Sequence, residues 1–445
     1  MVQKSGFCAL LLFLPSFVYS WQEHGLGIYL SLEKSNYLNQ QKAVVANELS
    51  TFLTESEGEL ELFLEELEKK TKELFPHYPP RPEELAFRRK ASSGIVQRFA
   101  HAIRINPELP LVLYRQAHPK TPCGKHPPYR KPSVFGVDFL KNYRYCRLKV
   151  GERISPLEVL VAASDEPDHG LDIGLFEDNG SRHSRLYGFG PQPFGDPRLI
   201  YSSQAPFHMG FYHEARLVFW AAPFLKKTYP EVRIFQFREL SRFAFRQKNP
   251  YWGYRFLGWA LHYLTDLTQP YHATVLPGVS LWRMLWINFL ALLGFPRAKE
   301  EAINLVSNRH TALEEYQWRV QKELLEKAQY DHILIKAFAA KEFRHPLAYF
   351  PYYPSQVVAK EAWQRSSILD NLLVEAFPQS YVLDPSFSYT DENKALLMKT
   401  IVELGRIHER EKLDEELVYL FENFGAHSRF FVESALQEFF RENAL

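Results

Sequence analysis

Charge of one sign is nearly missing from this 445-residue chain: 53 Lys and Arg face 52 Asp and Glu, a formal net charge of +1. That balance excludes the overall basic field by which proteins hold a nucleic-acid backbone. The local basic run from Arg115 to Lys131, with Lys120, Lys125 and Arg130, is interleaved with proline and reads as a solvated loop. Cysteine is scarce, at three residues, which excludes a framework of several disulfides. Long apolar runs are missing as well. Phe7 to Val18 and Val279 to Phe295 are both too short to span a bilayer comfortably. Strand signals are few and short, and no internal repeat stands out.

What is present is a large supply of core-forming side chains. Hydrophobic residues make up 46% and charged residues 24%, the profile of an ordered globular protein. The 35 Phe, 24 Tyr and 8 Trp suit a large helical core and also suit contact with lipid. At the N-terminus, Lys4 precedes the apolar run, and Tyr19-Ser20 precede Trp21. This order predicts a secretory signal peptide over residues 1–20, cut between Ser20 and Trp21, and hence an exported protein, secreted or periplasmic. Cys8 would leave with the signal. Cys123 and Cys146 then remain, either as one disulfide or as two free thiols.

Apolar spacing predicts an all-α fold with long loops. Leu30 to Leu74 is rich in Leu, Glu and Lys at helical spacing and ends at Pro79, Pro80 and Pro82. Glu83 to Ile105 reads as helix, Asn106 to Lys149 as irregular chain, and the Gly-, Pro- and Asp-rich stretch after Gly170 as loop to Gln204. Helices are predicted over His213–Lys227, Gln236–Gln247, Tyr251–Leu267, Ala298–Lys327, Ser355–Phe377, Asp391–Leu413 and Glu415–Asn443.

The sharpest segment is His262-Tyr-Leu-Thr-Asp266-Leu-Thr-Gln-Pro270-Tyr-His272. On a helix, His262 and Asp266 are i,i+4 neighbours and project from one face, where both can hold one metal ion. Pro270 stops the helix, and His272 follows on the turn, within reach of a second ion. His310 and Glu314 form another i,i+4 pair on a predicted helix. A single such pair is ordinary on surface helices, where it serves as a charge pair. Two pairs with a Pro-x-His extension point to a metal centre of mixed imidazole and carboxylate donors.

The segment from Phe256 to His272 resembles the signature of the zinc-dependent phospholipases C, meeting it at His262, Tyr263, Thr265, Asp266, Leu267, Thr268, Pro270 and His272. Glu239 to Trp259, with its aromatic-rich helix, resembles the same family. The related fungal single-strand nucleases share its helical fold and three-zinc site. The resemblance implies a cofactor of three zinc ions and a catalytic domain over residues 21–330, with an insertion at about 30–150. A helical extension over 331–445 would pack on that core.

The resemblance also implies ligands. Trp21 would bind through the amine and carbonyl freed by cleavage, an amine with a pKa near ~7.7, and His24 would follow. Asp165 is the choice for the next ligand and for the group that orients the attacking water, with Asp168 as its rival. His208 is the choice for the following His, with His213 and His169 as rivals. His262, Asp266, His272, His310 and Glu314 complete the set, with Asp266 bridging two ions. A Glu in last place resembles the phospholipases, whereas the nucleases place Asp there. Gln269-Pro270 retains a trace of the nuclease pattern.

The implied activity is phosphodiester hydrolysis of phospholipid headgroups by a monomer. The alternatives are a nuclease or nucleotidase on the same scaffold, or a zinc-stabilised binding protein without turnover. The near-neutral charge disfavours nucleic acid as partner. Val279 to Phe295, apolar on nearly all sides, reads either as a helix buried in a large core or as an interfacial helix that meets lipid.

Overall fold

The computed structural model describes residues 21, 23–91, 94–117, 123, 127–129, 133–135, 145–197, 199–340 and 348–442. Residues 1–20, the predicted signal segment, and the basic Lys120, Lys125 and Arg130 lie outside them. The protein is mostly helical, with 64% helix and 3% strand.

A helical hairpin forms the centre. Pro230–Arg246 runs into a three-residue turn and returns as Pro250–Asp266. Lys248 takes the left-handed conformation (φ 56°) to make the turn. Asn249 caps the second helix by accepting from Trp252 N–H at 3.3 Å, and Pro250 starts it with a preset φ. Every residue from Tyr251 to Asp266 is buried. A helix covered on all sides needs neighbours on all sides, and beyond its hairpin partner Pro156–Ser164 and Ile407–Glu442 supply most of them.

Pro156–Ser164, begun by a Ser155/Glu158 capping box, crosses it most closely. A Cβ on Gly258 would lie 2.6 Å from Ala163 Cβ and 3.1 Å from the Leu160 carbonyl, so the crossing requires glycine. His24–Leu32 lies on Pro156–Ser164, and Ile407–Glu442 packs on both His24–Leu32 and the central helix. Buried hydrophobic residues from Trp21 to Phe439 form one continuous cluster. The strands are short. Val44–Val45 pairs antiparallel with Arg153–Ile154, and Tyr145–Arg147 lies between Tyr114–Gln116 and Pro128–Tyr129. Cys123 and Cys146 are joined in a disulfide, a bond that persists in oxidising compartments. No described helix is long and apolar enough to cross a membrane.

Several predicted helices are observed with shifted ends. Leu30–Leu74 is broken into His24–Leu32, Asn36–Asn39, Leu49–Glu55 and Glu57–Leu74. Within the predicted Glu83–Ile105 helix, the described residues form a 3-10 turn at Glu83–Leu85 and the helix Ile95–Ala102. Of the predicted His213–Lys227, Arg216–Ala221 is α-helical and Pro223–Lys226 is a 3-10 turn, since Pro223 lacks the N–H that continuation needs. The last two helices divide at Gly405, not near residue 414. Gly405 sits at φ 69° as a left-handed cap, and Ile407–Glu442 is continuous beyond it.

Two buried arginines fix the loop Asp165–Asp172. Arg255 grips Glu166 with Nε at 3.0 Å and Nη2 at 2.7 Å, and Trp259 Nε1 donates to the same carboxylate. Arg233 donates to Asp172 Oδ1 from Nε at 3.0 Å and Nη2 at 2.6 Å, and to the carbonyls of Ile103 and Arg104. Forked arginine contacts of this kind set position as well as charge. Arg255→Ala is expected to destabilise the protein by about 3–5 kcal/mol, because it leaves the Glu166 carboxylate buried and unpaired. Denaturant unfolding of the variant checks this; a loss below about 1 kcal/mol would mean that the pair does not hold the loop.

Candidate metal centre

The central helix ends where it is most polar. His262 and Asp266 occupy its last turns on one face, as the i,i+4 spacing predicts, and Pro270 opens the short helix Pro270–Ala273 that carries His272. His24 begins its own helix, His208 ends Ala205–His208, and His310 and Glu314 lie midway along Arg297–Glu326. These elements converge. Three trios have donor atoms within 4.8 Å of one another: His24, His262 and Asp266; Asp168, His208 and His262; and His272, His310 and Glu314. His262 belongs to two of them, so the first two trios adjoin. His272 and His310 stand edge to face, with ring centroids 5.0 Å apart.

Asp266 is the hub. Its Oδ1 lies 3.1 Å from His24 Nε2, and its Oδ2 lies 2.9 Å from His208 Nδ1 and 3.5 Å from His262 Nε2. Partners from other parts of the chain fix the imidazoles. His262 Nδ1 donates to the Ser164 carbonyl at 2.7 Å, and His272 Nδ1 donates to the His208 carbonyl at 3.0 Å. His24 Nδ1 lies 2.8 Å from Thr265 Oγ1, which itself donates to carbonyls of its own helix and so accepts from the ring. A ring that donates from Nδ1 presents a lone pair at Nε2, the arrangement of a metal-ligating histidine.

The donor atoms fit a metal by a further test. His24 Nε2, Asp266 Oδ1, Asp168 Oδ1, His272 Nε2 and His310 Nε2 are buried and make no hydrogen bond among the described residues, while His208 turns its Nδ1 to Asp266. Two of them face each other closely: His24 Nε2 is 3.1 Å from Asp266 Oδ1 without the alignment of a hydrogen bond. Unsatisfied buried polar atoms are costly, and a bound cation would satisfy these five. These three groups of His, Asp and Glu could hold metal ions.

Burial and mutual charge set the protonation states. Burial pushes the His272 and His310 imidazoles down to about 3, and holds His262 well below its usual range, so all three are neutral. Burial opposes the Asp266 charge, yet the surrounding His262, His208 and His24 keep its carboxyl well below the usual range. Burial also disfavours the cationic forms of His24 and His208, but Asp266 beside them raises both. Asp168 is pushed up to about 7 by burial, and Glu314 well above its normal value by the same cause.

Each residue proposed from sequence has a definite place. His24, His208, His262, Asp266, His272, His310 and Glu314 are brought together. Asp165 is in none of the trios; its rival Asp168 is. Asp165 follows the helix Pro156–Ser164, and its Oδ1 accepts the Gly25 N–H at 2.9 Å, so it serves as a distant cap for the His24 helix. That helix has no side-chain cap of its own. Trp21 is 3% exposed, and its indole donates to Thr268 Oγ1 at 2.9 Å beside Phe421 and Phe424. This places Trp21 next to the motif through its side chain. His213 donates to the Ser355 carbonyl at 2.7 Å, and His169 lies between the hydroxyls of Tyr114 and Tyr145; neither enters a trio. Sequence reading gave no place in the site to Gln269, which lies inside the motif and donates to Glu314 Oε1 at 3.2 Å. It also passed over Asp172, whose Oδ2 accepts from Tyr263 and lies 3.9 Å from His208 Nε2.

No family model matches this chain, and neither does any curated protein or solved structure.

Metal binding here is expected to tighten as pH rises. Asp168 and Glu314, raised by burial, and His24 and His208, raised by Asp266, all carry protons at acid pH that a cation must displace. Calorimetric titration of zinc in buffers of different ionisation enthalpy should show proton release that is larger at about pH 6 than at about pH 8. Affinity that does not change over that interval would contradict the assignment of these groups as ligands.

Proposed function

We propose that this chain is an exported, zinc-dependent hydrolase of phosphodiesters that acts on phospholipid headgroups, as the phospholipases C do whose signature its Phe256–His272 segment resembles. One observation carries the reading: the two i,i+4 pairs and the Pro-x-His extension meet at one buried place, joined by His24, Asp168 and His208, with unbonded donor atoms turned inward. Mixed imidazole and carboxylate donors suit zinc. Bound there, zinc supplies a Lewis acid for a phosphate oxygen and a source of hydroxide near neutral pH.

The chain's own residues divide the remaining work. His24, His262 and His272 are held in one tautomer by their Nδ1 partners, so they bind without reorganising. Asp266 keeps its negative charge in a dry site, where it is worth most. Asp168 differs from the other trio residues. Its side chain is 13% exposed, at the edge of the cluster, and burial pushes its carboxyl up to about 7. Asp168 is therefore the carboxylate placed to meet and orient a water at the edge of the cluster, the role that Asp165 holds in the sequence reading. The Cys123–Cys146 disulfide and the apolar N-terminal run of the sequence both support export.

Asp266→Asn tests the reading. Metal content of the purified protein is expected to fall, and hydrolysis of phosphatidylcholine to drop by more than about 100-fold. Full metal occupancy in that variant would remove Asp266 from its central role. Turnover of single-stranded DNA by the unaltered protein, without release of a phospholipid headgroup, would select the nuclease reading. Zinc binding with neither activity would select a zinc-stabilised binding protein.

A further inference from the structure

Between the metal residues His272 and His310 the chain leaves the core. The helix Leu281–Leu292 buries Met284, Ile287 and Ala291, which lie along one face. The opposite face is equally apolar but bare. Trp282 is 77% exposed and Trp286 59%, with Phe289, Leu293 and Phe295 also exposed. Trp282, Trp286, Phe289 and Leu293 follow i, i+4, i+7, i+11 spacing, so they form one stripe. A second helix adds to it. Arg216–Ala221 packs against Leu281–Leu292 and presents Trp220, 81% exposed. Scattered apolar residues on a surface need no explanation, but a tryptophan-rich stripe continued by a second element does.

The charge pattern names the occupant. From Leu267 to Lys299 there is no Asp or Glu, and from Ala215 to Pro230 there is none either. The charged residues within both stretches are basic: Arg283 is exposed on the flank of the long helix, and Arg216, Lys226 and Lys227 are exposed around the short one. Lys226 Nζ lies 5.3 Å from the ring of Phe219. Exposed tryptophans set among cations, with acids excluded, match the headgroup layer of an anionic bilayer. A protein partner would not require that exclusion of acids over two separate segments. No described helix is long and apolar enough to cross a membrane, which agrees with an element that lies in the interface.

We propose that the helices Leu281–Leu292 and Arg216–Ala221 form one surface that docks on anionic phospholipid bilayers, with Trp220, Trp282 and Trp286 entering the interface. This docking does not depend on metal chemistry at the buried centre.

Sedimentation with vesicles tests it, using the whole protein. Vesicles of phosphatidylcholine mixed with phosphatidylglycerol should carry the protein down and shift its tryptophan emission to the blue, and pure phosphatidylcholine should do so more weakly. Trp282→Ser combined with Trp286→Ser should weaken partitioning by about tenfold or more, and Trp220→Ser alone should also weaken it. Phe289→Asp should do the same through charge. All four positions are exposed, so folding is expected to survive, and circular dichroism verifies that. Failure of the unaltered protein to bind anionic vesicles, or equal binding by the variants, would overturn the proposal. So would a dimer of the unaltered protein that these substitutions dissolve, because the stripe would then cover itself. Vesicle binding without hydrolysis would support the docking surface while removing the hydrolase reading. Hydrolysis of a soluble short-chain phospholipid without vesicle binding would do the reverse.

Discussion

Asp266 is fully buried, and its two oxygens face His24 on one side and His208 and His262 on the other. In an apolar interior, a charged carboxylate persists only where positive charge or donors surround it. His24 and His208, raised by Asp266, supply part of that charge, and a cation held among the same donors would supply the rest. Much of the architecture follows from this. The central helix is covered along its whole length, so the ligands at its end lie in a dry site. The elements that bring the other ligands arrive from distant parts of the sequence and must be held to within fractions of an ångström. Gly258 and Gly25 permit the close helix crossings on which that precision depends.

The second layer is built mainly from the backbone. Ser164 and His208 orient His262 and His272 through their carbonyls, which no side-chain substitution removes directly. The loop that supplies Asp168 is held at both ends by arginines from the two helices of the central hairpin, Arg255 on Glu166 and Arg233 on Asp172. Asp165 ties the same loop to the helix of His24 through Gly25. One short loop therefore links three of the helices around the centre, and the stability of the fold and the geometry of the site are set by the same contacts.

The parts legible in sequence were those governed by helical period. His262 with Asp266 and His310 with Glu314 lie on long helices, where i,i+4 spacing fixes relative direction whatever the surroundings. Asp165 and Asp168 lie in a helix end and a 3-10 turn, where the direction of a side chain depends on capping and on partners far away in the chain. Nothing local distinguishes the carboxylate that caps a helix from the one that faces a histidine. Gly405 was missed as a helix boundary because helical spacing resumes directly after it, while its left-handed φ is a property of the backbone alone.

Val279–Phe295 shows a different limit. Its composition gives two apolar faces, and period alone cannot say which face the core covers or whether it covers both. The structure covers the face of Met284, Ile287 and Ala291 and leaves the tryptophans in solvent. Bare aromatic surface favours aggregation, and a helix kept only for packing would be expected to carry polar groups on that side. The excess apolar area is paired with basic residues at positions that packing does not constrain, and the acidic residues common elsewhere in the chain are absent from the whole interval that leaves the His272 turn. Core packing does not call for that exclusion, because the charges in question lie outside the core. A negatively charged surface in contact with the helix does call for it.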